Sequence, residues 1–367
     1  MKIGVLTFSD FNTNYGSMLQ AFSLKLYLES NGHNVIFIRY REYHPEVFNI
    51  DFLAVKKILI KSVQAIYKFY HRKDLYKTIE NFEKFKRENF EYTSLYLSNE
   101  ELSNMKEHFD AIICGSDQLW NLQCLGGLRT PYFLKFVPNN VKRIFYAVSM
   151  GDYHFSSEDK ENIIPLLKGC DFISIRESEN LQEVQEMTNA NVCNVVDPVF
   201  LTSSEQWGDL AQENLINGDY GVCYFVRRSF LGKKIVKMLL DKYRIPIINL
   251  SDNMIYIPGC KHDFISVGPI GFISLIKNAK FVVGTSFHLT AFSIIFRVPA
   301  IICGLDSNRS RIMNILGPLG LANHFVTASS NLAVLDHFIN DRIDTTLMKE
   351  KIDFSKKFLN DALLNEN

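Results

Sequence analysis

His288 stands where one apolar run ends and another begins. Phe281 to Val283 predicts a buried strand, Gly284, Thr285 and Ser286 break it, and a second apolar stretch at helical spacing ends before Pro299. Such strand-to-helix junctions are where open α/β sheets bind ligands, and a helix N-terminus attracts anions. A histidine there is a candidate proton donor to a negatively charged substrate. Ser286 beside it is a candidate contact to the same ligand. The segment reads equally well as a capped core helix carrying a partly buried histidine.

Three further segments carry chemistry-bearing side chains. GSDQLWN (115–121) follows the strand-like DAIIC, so Asp117 and Ser116 sit at a carboxyl sheet edge. Asp117 could take a proton from a sugar hydroxyl, and Trp120 could stack on the ring. Alternatively Asp117 caps a helix and Trp120 packs in an interdomain core. ISIRE (173–177) ends another strand on Arg176, which suits a carboxylate or phosphate, or else a salt bridge with Glu177. In SNRSRIMNILGPLGL (307–321), Arg309 and Arg311 fall at a helix start. The helix dipole does not favour cations there, so a local anion would explain them, as would solvent exposure.

The loop SDFNTNYGS (9–17) lies between the first strand and the first helix. Asn12, Asn14 and the amides opening the helix could bind hydroxyls or an anion. Gly16 could equally be a residue that merely starts the helix. The loop lacks the G-x-G-x-x-G of dinucleotide binders.

The elements that must position these residues alternate along the chain. KIGVLTF (2–8), a helix from about Ser17 to Ser30, and VIFIRY (35–40) form a βαβ unit, hence a parallel sheet. Strand-like runs recur at 109–116, 143–151, 170–177 and 191–198. Residues 197–219 carry no strand signal and predict a link between domains. A second alternation follows: strand 221–226, helix 231–243, and strands 245–251, 279–284 and 298–304. Ser98 with Glu101 and Ser203 with Gln206 predict capping boxes. The expected fold class is α/β, with two Rossmann-like domains facing a cleft. The expected units are 1–200, 201–341 with His288, and a C-terminal helix within 342–367 that packs back on the first.

Bulk properties narrow the function. At 367 residues, two domains are expected. Forty basic and forty acidic residues cancel, which argues against sequence-blind nucleic-acid binding. The seven cysteines form no C-x-x-C pair and read as small buried hydrophobes, not a zinc site or a disulfide framework. The start MKIGVLTFSD is soon polar, unlike a signal peptide, and no run is long and apolar enough to span a bilayer. A cytoplasmic protein is expected. The stretch 53–73 is basic and amphipathic, so it predicts either an anionic-membrane contact or a domain helix with a solvated charged face.

Together these segments resemble the polysaccharide pyruvyl transferase family. The matching pieces run in order from IGVLTFSDFNTNYGSMLQAFSLKLYLESNGHNV through FDAIICGSDQLWN, YFLKFVP, IFYAVSMG, FISIRES, VVDPVFL and VGPIGFISLIKNAKFVVGTSFHLTAFSIIF to SRIMNILGPLGL. Only about 45–95 and the last 40 residues fall outside them. The resemblance implies a glycosyltransferase-B-type fold and transfer of the enolpyruvyl unit of phosphoenolpyruvate to a sugar, without metal or cofactor. It implies His288 as general acid, Arg176 and Arg311 as anion ligands, and Asp117 as base for the acceptor. The family often reads Asp-Ser-Phe-His-Gly-Thr where this chain has Thr285 and Leu289. Loss of that Asp should leave His288 less firmly oriented, and Leu289 should crowd the ligand.

The leading expectation is a ketal-pyruvyl transferase making a capsular or cell-wall polysaccharide precursor. Its acceptor would be a sugar, including one on a polyprenyl diphosphate, with 53–73 touching the inner membrane face. The alternatives are a sugar-nucleotide glycosyltransferase and a non-catalytic glycan-binding member, for which Thr285 and Leu289 are the best evidence.

Overall fold

Buried apolar runs set the frame. In the computed structural model, which describes residues 1–10, 13–41, 72–170, 172–212, 215–251, 256–261, 266–304, 309–332, 338–339 and 343–364, they assemble into two sheets. The first contains β1 (Lys2–Leu6), β2 (Asn34–Tyr40), β3 (Tyr92–Tyr96), β4 (Ala111–Cys114), β5 (Lys142–Val148), β6 (Phe172–Ile175) and β7 (Asn191–Asn194). Its strands are parallel and ordered β3-β2-β1-β4-β5-β6-β7. The second contains β8 (Gly221–Tyr224), β9 (Ile247–Asn249), β10 (Phe281–Gly284), β11 (Ala300–Cys303) and β12 (Phe325–Val326). It too is parallel, in the order β12-β11-β10-β8-β9. Strands such as AIIC and FVVG are buried along their whole length, as a sheet covered on both faces requires. Asn12 and 53–71 lie outside the described residues, so the membrane-contact expectation for 53–73 does too.

Local chemistry starts and stops the helices. The first helix, Tyr15–Ser30, begins two residues before the expected Ser17. Asn14 caps it by accepting from the backbone N–H of Gly16 at 2.8 Å and Ser17 at 3.3 Å, so Gly16 lies inside the first turn. Ser203 and Gln206 form the reciprocal capping box of the helix Ser204–Leu210. At Ser98 only half of the box forms, because Glu101 Oε2 accepts from Leu97 N, one residue early. The expected link 197–219 holds structure of its own: a tight turn Pro198–Phe200 and that helix, whose Trp207 is buried with Nε1 donating to Val199 O. The helix Gly268–Lys277 escapes a periodicity reading because nearly every side chain in it is buried.

The core has three parts. One cluster spreads between the sheets and includes Tyr15, Phe82, Trp207, Phe272 and Phe292. Within it Tyr15 stacks on Phe272 from the other domain, ring centroids 4.4 Å apart. Separate clusters back the outer face of each sheet. The C-terminal helix, Thr346–Leu364, lies against the first sheet. Ser355 Oγ accepts from Val196 N, Lys142 Nζ donates to Leu363 O, and Tyr27 Oη donates to Asn360.

Candidate active site

Each sheet has one place where adjacent strands send their chains in opposite directions: between β1 and β4, and between β8 and β10. Ligands bind outside the carboxyl ends at such points. Here the two points face each other across a cleft of about 920 Å³, within the range of small-molecule sites. The first domain supplies Asn14, Asp117, Gln118, Asn121 and Asp152; the second supplies Arg227, Thr285, Ser286, His288 and Arg311.

His288 is the second residue of the helix Phe287–Ile295. Ser286 caps that helix by accepting from Leu289 N at 3.4 Å, so the amides of Phe287 and His288 have no intrahelical acceptor. Both the dipole and these donors suit an anion. Beneath the ring, Asp197 Oδ2 lies 3.6 Å from His288 Nε2, an ion-pair distance for a protonated imidazole. Nε2 is fully buried, which leaves Nδ1 as the ring nitrogen within reach of the cleft. Burial works to raise the Asp197 pKa, but His288, Arg176 and the Val199 N–H overcome it and hold the carboxyl at about 2.

Gly16 is more than a helix starter. A Cβ there would lie 2.0 Å from His288 Nδ1, so only glycine lets the first helix pass this close to the imidazole. Gly16→Ala should displace the ring by roughly an ångström and lower turnover about 100-fold. Overpacking should cost about 1–3 kcal/mol of stability. Steady-state rates and urea denaturation of the variant check both, and an unchanged rate would refute the contact's importance.

Several expected ligand contacts are placed elsewhere. Arg176 is 2% exposed and does not line the cleft. It pairs with Asp197 and with Glu177 Oε1 at 3.5 Å, and its guanidinium lies over the Phe287 ring. It therefore braces the floor beneath His288, with Nη2 buried and without a hydrogen-bond partner. Trp120 is fully buried, stacked on Phe133 in the outer core of the first domain, with Nε1 donating to Tyr132 O. It can neither stack on a sugar nor pack between domains. Ser116 is also buried, its hydroxyl donating to Ala147 O. Arg309 turns over the Phe325 ring. Among the cysteines, Cys124 departs from the expected burial: it is exposed and lines the cleft.

The two departures from the family pattern also resolve by packing. Leu289 is fully buried in the core between the sheets and lies against Gly284, so it does not crowd the cleft. Thr285 Oγ1 accepts from Val226 N. His288 is nonetheless supported from a different segment, because Asp197 lies beneath its Nε2.

Asp117, Arg311, Asn14 and Ser286 do meet at the cleft with His288. Asp117 Oδ2 accepts from Ser17 Oγ at 2.6 Å and Oδ1 from Gln118 N at 2.8 Å, so its carboxylate is held to the start of the first helix. Its φ of +91° is rare for a residue with a side chain and marks local strain of a kind common at binding sites. Arg311 is half-buried in the cleft wall, and its Nε has no hydrogen-bond partner. Burial, then the neighbouring Arg176, lowers its pKa. Its helix, Arg309–Leu316, is tied to the first domain through Ser310 to Asp152 and Asn314 to the Arg176 carbonyl. Among the described residues, no three metal-ligand side chains converge.

Asp197, Gly16, Asp152 and Arg227 were not legible as site residues. Asp197 had one usable signal, an Asp-Pro step directly after an apolar strand, at the edge where ligands bind.

A family model described as polysaccharide pyruvyl transferase matches residues 14–307. No curated protein sequence matches. Among solved structures, UDP-GlcNAc 2-epimerase from Neisseria meningitidis is 11% identical with a TM-score of 0.51, covering 100% of both chains. The epimerase from Methanocaldococcus jannaschii, solved with UDP-GlcNAc and UDP, is also 11% identical, with a TM-score of 0.54 over 98% of this chain and 99% of that one. At such identities the likeness concerns the fold alone, which is the glycosyltransferase-B type.

Proposed function

The chain belongs to the polysaccharide pyruvyl transferase family, and from that premise we propose that it moves the pyruvyl unit of phosphoenolpyruvate onto two hydroxyls of a sugar, forming a ketal and releasing phosphate. The observation that carries this reading is His288, backed by Asp197, opening on a cleft that also holds an arginine with an unpaired Nε. A methylene carbon needs a proton donor and a small dianion needs fixed positive charge; the cleft offers both.

Arg311 and the free amides of Phe287 and His288 hold the donor's anionic groups. His288 delivers a proton from Nδ1 to the methylene carbon, while Asp197 steadies the imidazolium. C2 becomes oxocarbenium-like, and a sugar hydroxyl adds to it as Asp117 takes the hydroxyl proton. The C2–O bond to phosphate then breaks, and a second hydroxyl closes the ketal with loss of its proton. The sum is one diol and one phosphoenolpyruvate giving one ketal and one phosphate. The first domain binds the acceptor and the second the donor. The acceptor is a capsular or cell-wall precursor sugar, including a polyprenyl-diphosphate-linked one, and the reaction runs in the cytoplasm.

The test is incubation with phosphoenolpyruvate and a panel of free and lipid-linked sugars, scoring phosphate release together with the acceptor's mass gain. No turnover across a broad panel would reject the reading. A thermal-shift comparison separates the sugar-nucleotide alternative, since a true ligand raises the unfolding midpoint. A shift with nucleotides and none with phosphoenolpyruvate would favour that rival. Arg311→Ala should raise the KM for phosphoenolpyruvate about 10- to 100-fold, the worth of a charge-assisted contact. The non-catalytic reading rested on Thr285 and Leu289; against it, Leu289 is buried in the core and does not crowd the cleft.

A further inference from the structure

Beside the cleft, the chain leaves β8 and presents an unusual face. Val226 and Arg227 line the lip. Ser229 caps the next helix, Phe230–Tyr243, by accepting from Gly232 N at 2.9 Å. That cap fixes Phe230 at the first helical position, where it is 94% exposed. Val226 is 48% exposed beside it. One exposed apolar residue needs no explanation. This one heads a stripe: Phe230, Lys233, Lys234 and Lys237 follow the i, i+3, i+4, i+7 spacing of a single helix face. The opposite face, with Ile235, Val236 and Leu239, is buried in the second domain's outer core. Five basic residues (Arg227, Arg228, Lys233, Lys234, Lys237) gather here, with Asp241 as the acidic residue on the helix, in a chain whose net charge is zero.

We propose that this face docks the protein on an anionic phospholipid surface, with Phe230 entering the headgroup layer and the lysines meeting the phosphates. Charge complementarity selects the occupant, and an aromatic anchor heading a basic stripe is the pattern of interfacial helices. The helix is already folded into a domain, so no ordering cost accompanies docking. Docking here would bring the cleft lip to the bilayer, which suits a lipid-carried acceptor; that last consequence rests on the proposed reaction, the docking does not.

The experiment sediments the full chain with vesicles of phosphatidylcholine alone and of phosphatidylcholine with phosphatidylglycerol, at low and high salt. Binding is expected only to the anionic vesicles and should weaken with salt. The combined variant Phe230→Ser, Lys233→Gln, Lys234→Gln, Lys237→Gln should lower partitioning by about 100-fold, since each lysine near such a surface is worth about fivefold. Its thermal midpoint and its turnover of a soluble acceptor should match wild type, because none of the four side chains lines the cleft. A drop smaller than about tenfold would overturn the proposal by placing any contact elsewhere. So would wild-type protein that ignores anionic vesicles, the result expected if the face served a protein or nucleic-acid partner.

Discussion

The His288→Ala variant should turn over about 10²–10⁴ times more slowly than wild type, the usual worth of a positioned general acid. The loss should fall on kcat. Arg311 and the amides opening the histidine helix still offer the donor its anion contacts, so the KM for phosphoenolpyruvate should move little. The fold should survive: the imidazole lies at the cleft, and Asp197 keeps Arg176 as its partner. Phosphate release under saturating donor, with circular dichroism on the same sample, reads both quantities. A variant at full rate would remove His288 from the chemistry while leaving the family assignment untouched.

Arg176→Met should destabilise the protein by about 3–5 kcal/mol, the penalty for stripping the partner from a buried ion pair. The guanidinium is 2% exposed and lies between two carboxylates, Asp197 and Glu177, that are themselves buried. Burial alone would disfavour its charge, but Asp197, Glu177 and Asp117 outweigh that and raise its pKa. Methionine fills similar space but removes the positive charge between the two carboxylates. Among the described residues, that leaves Asp197 with His288 as its one cationic partner and Glu177 with neutral donors from Ser149 and Met150. The urea midpoint measures the loss, and an unchanged midpoint would sink the argument. Asp197 adds a pH signature. Its folded pKa of about 2 lies below the ordinary 3.8, so its contribution to stability is present above 3.8 and disappears as pH falls toward 2. Asp197→Asn should flatten the acid limb of the stability curve within that window.

Much of the architecture was readable because it is locally encoded. The apolar runs KIGVL, AIIC and FVVG, each followed by turn residues and a helix, dictate parallel strands buried on both faces. Ser203 with Gln206 encodes its capping box within four residues. The helix Gly268–Lys277 and the short strand Phe325–Val326 were not readable, the first because burial on all sides erases periodicity and the second because two residues carry no pattern. At the site, His288 and Asp117 could be found because each follows a strand, and Arg311 because it falls at a helix start where the dipole disfavours a cation. Trp120, Ser116 and Arg176 follow strands as well, yet their side chains turn inward. Position at a sheet edge does not determine which way a side chain points.

The sequence by itself therefore determined the two βα frameworks, the strand ends at which a ligand could bind, and the family. These follow from hydrophobic patterning, turn chemistry and the order of matching segments. Only the tertiary structure decided what surrounds His288. Asp197 beneath it, Gly16 against its Nδ1 edge and Arg176 bracing the floor come from three segments far apart in the chain. Their meeting depends on how two sheets face one another through a shared apolar core, and no local pattern carries that information. The same packing turned Leu289 from an apparent obstacle into core and set Asp197 beneath the imidazole.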